Sequence, residues 1–157
     1  MIKKFVCGLL VLSSFGFGSL WAADAFTGTW KLNVAISKFA KGQEIKELTA
    51  TVVEQGDNSM VTAKGMDGAG KPISTMYTLP LKGGPVTYSQ GGPPAGTTVM
   101  SKRVNANTGD STSTKDGKQV ATTHTVVSAD GKTLTQTRTF VDAEDKSVTN
   151  VAVYDRQ

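Results

Sequence analysis

One cysteine, Cys7, and one histidine, His124, are all that this 157-residue chain offers of the side chains most used as nucleophiles, general bases and soft metal ligands. Cys7 lies three residues after Lys4 in an apolar N-terminal run, and the rest of the chain has no thiol. It therefore has no disulfide, no cysteine nucleophile and no thiolate metal site. A single imidazole is too little for a zinc centre. No serine sits in a nucleophile-elbow pattern, so any Ser-His-Asp arrangement would rest wholly on His124. The acidic residues fall in turn segments such as Asp67, Asp116 and Asp142, where solvation is their ordinary role. The expectation is a protein that is not an enzyme, with no catalytic residues, no metal and no cofactor.

Two further shortages narrow the class. The net charge is +4, but its lysines and arginines are scattered and form no stripe with interleaved aromatics, so a nucleic-acid partner is not expected. The one apolar run, Phe5 to Trp21, is broken by Ser13, Ser14, Gly16, Gly18 and Ser19 and is short for a bilayer span of about 30 Å. With Lys3 and Lys4 before it and Ala23-Asp24-Ala25 after it, it has the three parts of a secretory signal. Cleavage is expected after Ala25, with Ala23 as the alternative. Residues 1–25 are then a removed leader and 26–157 one domain, periplasmic or secreted, with no stable membrane anchor and monomeric. Cys7 is too early in the run for a lipoprotein cysteine.

What the chain has in abundance is short strands and turn signals. Alternating apolar and polar residues run from Glu47 to Gln55, Ile73 to Leu79, Thr97 to Val104, Gln119 to Val127, Thr133 to Val141 and Ser147 to Tyr154, the period of half-buried strands. Gly56-Asp57-Asn58, Asp116-Gly117 and Asp130-Gly131 punctuate them as hairpins. Asp67-Gly-Ala-Gly-Lys-Pro72 invites comparison with a phosphate loop, but that loop needs Gly-Lys-Ser/Thr at the head of a helix, and here Pro72 leads into a strand. Ala35 to Lys46 is a loop or one helical turn. The first strand is expected over Trp30 to Val34, with Gly28 allowing close approach and the Trp30 indole plugging one end of the sheet. The fold expected is all-β, an antiparallel up-and-down barrel of about eight to ten strands with little or no helix. Closure removes exposed edges.

Phe26-Thr-Gly-Thr-Trp-Lys-Leu32 resembles the opening of the fatty-acid-binding proteins and their lipocalin relatives, and Val151-Ala-Val-Tyr-Asp-Arg-Gln157 resembles the closing strand of the former. The resemblance implies a calycin-type barrel around a hydrophobic ligand, in a bacterial secreted member. Between the two ends it rests on strand rhythm alone. The family's helix pair does not fit into Ala35 to Lys46, its carboxylate-holding arginine two positions before the final tyrosine is Ala152 here, and no lipocalin crossover motif is visible.

Hairpin geometry then orders the candidate ligand-binding residues. A three-residue loop at Ala129-Asp130-Gly131 sets Ser128 opposite Lys132, hence His124 opposite Gln136 and Thr122 opposite Arg138. One face then carries Val120, Val126, Leu134 and Phe140 with His124, Gln136 and Arg138. Its opposite is a carpet of Thr123, Thr125, Thr133, Thr135, Thr137 and Thr139, suited to solvent. Pairing Val141 with Ser147 adds Asn150, Ala152 and Tyr154 to the mixed, inward face. An unpaired inward Arg138 would call for an anionic head group. A two-residue loop at Asp130-Gly131 is the open alternative, and it would send His124 to the face away from Arg138. The function expected is non-covalent binding of a small hydrophobic or amphipathic molecule. The alternative is an interaction module with a side-chain-filled barrel.

Overall fold

The computed structural model describes residues 24–142 and 144–157, so the lysines and apolar run of the leader lie outside the described residues. Eleven antiparallel strands form one sheet: β1 (Gly28–Leu32), β2 (Ile45–Gln55), β3 (Asn58–Asp67), β4 (Pro72–Pro80), β5 (Gly84–Pro85), β6 (Thr87–Gln90), β7 (Thr97–Asn105), β8 (Thr108–Lys115), β9 (Lys118–Val127), β10 (Thr133–Val141) and β11 (Ser147–Arg156). Among the described residues there is no helix. The order β5-β7-β8-β9-β10-β11-β1-β2-β3-β4-β6 is a meander whose last strand returns to pair with the first, through Leu32 and Tyr154 among others. The expected all-β barrel is what forms.

Closure on the other side falls to one short segment. Gly84 and Pro85 pair with Ser101 and Met100 of β7, and the Val86 amide still donates to Val99 O (2.8 Å). From Thr87 onward the segment has changed partner, and Thr87 and Tyr88 pair with Thr78 and Tyr77 of β4. Pro85 has no amide to give, which suits it to an edge where the ladder changes hands. The barrel is therefore nearly closed, with a seam between β6 and the start of β7.

The first strand begins two residues before the expected Trp30 and ends at Leu32. Asn33 turns the chain aside, because its side chain donates to Asp155 Oδ2 (2.8 Å) and its carbonyl accepts from Ser37 Oγ (2.7 Å). Residues 33–44 then run as a connector without a helix, pinned to β11 by a Lys38–Val151 bridge and by the Ala40 amide on Asn150 Oδ1 (2.8 Å).

Alternation along the strands decides the core. Trp30, Leu32, Val52, Val61, Val127, Leu134, Ala152 and Tyr154 are buried together, and Leu48, Ala50, Tyr77 and Leu79 pack against them. Burying each large aliphatic or aromatic side chain is worth roughly 1.5–3 kcal/mol, so this cluster is where the sheet acquires its stability. It lies toward the end of the barrel where the chain enters β1 and leaves β11, here termed the floor.

Candidate functional site

The register between β9 and β10 corrects the inward cluster. Val127 pairs with Leu134, His124 with Thr137 and Thr123 with Arg138, one residue away from the expected Ser128–Lys132 frame. The loop takes in an extra residue because its own side chains cap it. Ser128 Oγ donates to Asp130 Oδ1 (2.6 Å), and that carboxylate accepts the Lys132 amide (3.1 Å). The Thr133 amide bonds back to Ser128 Oγ (2.9 Å). These bonds, the Ser128 one foremost, hold the Asp130 carboxyl below its usual range. A one-residue shift reverses every side chain on β9. His124 and Val126 therefore face outward and Thr123 and Thr125 face in, while Val120 falls in the β-bulge between the Ser113–Ala121 and Thr114–Gln119 pairs.

His124 is exposed and its Nδ1 lies 2.6 Å from Asp110 Oδ1, the two side chains being 56% and 46% accessible. Beside them Thr112, Thr122, Thr137 and Thr139 line an open groove of about 300 Å³ on the barrel's outside. At that exposure the pair is worth under about 1 kcal/mol.

β10 and β11 keep the expected register. Val141 pairs with Ser147, Arg138 with Asn150, Gln136 with Ala152 and Leu134 with Tyr154. Gln136, Arg138, Phe140, Leu134 and Tyr154 thus share the inner face. Arg138 is nonetheless exposed, with its guanidinium carbon 5.9 Å from the Phe140 ring centre. Because water reaches it, no buried unpaired charge is created, and the desolvation argument for a bound anion falls away. What remains is a solvated cation on the interior side.

The interior is chemically divided. The floor is apolar, while the wall formed by β7, β8 and β9 presents Ser101, Ser111, Ser113, Thr123 and Thr125, all buried or half-buried. Ser101 Oγ donates to Gly84 O (3.1 Å), whereas among the described residues the Ser111, Thr123 and Thr125 hydroxyls meet no hydrogen-bond partner. Half-buried hydroxyls can stay unpaired only where water or another molecule reaches them.

Three tyrosines project into the same space. Tyr77 pairs with Tyr88 across β4 and β6, their ring centres 5.2 Å apart and tilted by 40°, and Tyr154 stands on β11. Burial pushes the Tyr154 phenol up to about 12. Burial, reinforced by the neighbouring Tyr88 and Tyr154, raises Tyr77 as well. Tyr88 is raised by burial against the opposing effect of Arg138. All three are therefore neutral donors at ordinary pH, and none of their hydroxyls bonds to another described residue. Beside Tyr88 the seam opens a cleft of about 390 Å³, lined by Pro85, Val86, Tyr88, Pro93, Pro94 and Val99 among others.

The floor is sealed by two arginines that the sequence reading passed over. Arg156 lies over the Trp30 ring, 4.2 Å from its centre, and donates to the carbonyls of Gly131, Thr27 and Ala25 at 2.5, 2.6 and 2.6 Å. Arg103 lies 4.3 Å over Phe26 and pairs with Asp24. Trp30, 1% exposed, plugs the floor as expected, with its Nε1 donating to Phe26 O (2.8 Å). Gly28 makes room for a side chain rather than a backbone: a Cβ there would sit 2.5 Å from Arg156 Nη1, and its φ of +134° disfavours any other residue. Alternation from Ile73 to Leu79 would have put Tyr77 on the inner face. Nothing local marked Arg103 or Arg156, whose partners are far away in sequence.

No protein-family model matches the chain, and no curated protein matches it. Among solved structures it is similar to that of the zebrafish ileal bile acid-binding protein complexed with cholic acid, at 12% identity and a TM-score of 0.39 over 85% of this chain and 99% of that one. The side chains inside the barrel, and not this distant likeness, carry the functional reading below.

Proposed function

We propose that this is an exported, monomeric, non-catalytic barrel of calycin type that holds a small amphipathic molecule in its interior. The observation that carries the reading is the division of the inner surface. An apolar floor of Trp30, Leu32, Val127, Leu134 and Tyr154 meets a hydroxyl-lined wall of Ser111, Thr123 and Thr125 and the unpartnered phenols of Tyr77 and Tyr88. An apolar tail fits the floor. A polar head fits the wall, with Gln136 and Arg138 on the same face and Phe140 beside the guanidinium. The seam cleft, flanked by Tyr88 and Val99, gives the molecule a route past the strands. His124 and Val126 have no part in it.

The competing reading, a structural module filled by its own side chains, is favoured by the packing of the floor, and ligand binding separates the two. Native mass spectrometry of the exported protein is expected to show a co-purified small molecule. Titration calorimetry with decanoate and decanol tests the head group. Decanoate is expected to bind up to about fivefold more tightly, and Arg138→Gln to remove most of that preference, since an ion pair at a water-exposed arginine contributes about 1 kcal/mol or less. A bare mass together with no binding of either compound would sink the reading in favour of the filled module.

A further inference from the structure

We infer that the mature chain keeps Asp24, with the leader cut after Ala23 rather than after Ala25. The inference rests on the export reading above. Asp24 is built into the floor. Its carboxylate oxygens accept from Arg103 Nη1 and Nη2 at 3.3 and 2.5 Å, and the two side chains are only 13% and 20% accessible. The same carboxylate accepts the Phe26 amide (2.9 Å), and the Asp24 carbonyl accepts the Thr27 amide (2.9 Å). The next residue is held too, since Ala25 O takes one of the three bonds from Arg156.

A cut after Ala25 would remove both groups. Arg103 projects from the inner face of β7, opposite Gly109 in the register, and among the described residues it has no second carboxylate. Its guanidinium would be left stacked on Phe26 with its carboxylate partner gone, a less stable state than the paired one. Arg156 would lose one carbonyl, and the freed α-ammonium of Phe26 would lie beside two guanidinium groups. A cut after Ala23 avoids all of this and leaves every contact of the floor in place. Against it stands the peptidase's preference for small side chains, because Trp21 rather than Ala23 would occupy the outer recognition position. The structural requirement and the recognition rule disagree here, so the terminus reports which one governs.

The test is the intact mass and N-terminal sequence of the protein recovered after expression of the whole 157-residue chain with its own leader. A chain beginning at Asp24 supports the inference. One beginning at Phe26 overturns it and leaves the export reading standing, whereas an unprocessed chain beginning at Met1 overturns both. As a second measurement, a chain started at Asp24 is compared with its Asp24→Asn variant. The substitution is expected to lower Tm by roughly 3–6 °C, and an unchanged Tm would show that the floor has no need of the carboxylate and would overturn the inference.

Discussion

The floor and the seam close the same sheet by opposite means. At the floor, Phe26 and Trp30, Arg103 and Arg156 come from three distant stretches of chain: rings are stacked under guanidinium groups and carbonyls are bonded, with the Thr27 and Ser59 hydroxyls the buried exceptions. At the seam, a single segment from Gly84 to Gln90 pairs first with β7 and then with β4, and the edges it leaves open border a cleft. Dense packing with satisfied polar groups gives rigidity and stability, while open edges and unpaired hydroxyls leave room for exchange with solvent or a bound molecule. Stability is thus concentrated at the floor, while the seam leaves the flank of the barrel open.

Substitutions at the floor and at the seam should therefore differ in kind. Trp30→Ala should destabilise by about 3–5 kcal/mol in urea unfolding, the range for large aromatic truncations. A seam substitution such as Val86→Ala should cost about 1 kcal/mol or less, since Val86 is only half-buried. Equal losses at the two positions would dissolve the contrast. Arg156→Met keeps part of the stacking on Trp30 but leaves three carbonyls without their donor. It should cost about 2–3 kcal/mol, again read by denaturant midpoint.

Alkaline pH sharpens the comparison through the buried phenols. Tyrosine in the unfolded chain ionises near its ordinary 10.0, whereas Tyr154 is held up to about 12, and Tyr77 is raised in the same direction. A raised folded-state value means that the stability is intact below pH 10 and is lost as pH rises from there through the folded value, because only the unfolded state releases the proton. Tm measured across that window should fall. Tyrosinate absorbance should lag in the folded protein relative to the protein in urea. A single normal titration for all three tyrosines would contradict their placement. The smallest effect belongs to the outer face, where His124→Gln should change stability by no more than about 0.5–1 kcal/mol because its pairing with Asp110 is solvent-exposed.

Much of the barrel was legible in the sequence because strand period and turn chemistry are local signals. Asp130-Gly131 announced a hairpin, and Val141–Ser147 pairing followed from turn length. The frame of β9 was not legible, because it depended on whether Ser128 and Asp130 would cap the loop amides and so enlarge it by a residue. That one step moved His124 and Val126 out of the site and brought Thr123 and Thr125 in, and Val120 was caught in a β-bulge that no local pattern announced. Arg138 was placed on the right face but proved exposed, since sequence alternation reports direction and not depth. The floor arginines, whose partners lie 25 to 131 residues away for Arg156, were beyond any local pattern.

Amide chemical-shift mapping during titration with decanoate tests the divided interior most directly. The expected result is perturbation concentrated at Thr125, Gln136, Arg138 and Tyr88, with His124, Thr137 and Thr139 on the outer face unmoved. Shifts confined to the outer threonine groove, or none at all at saturating ligand, would contradict a binding interior between the floor and the seam.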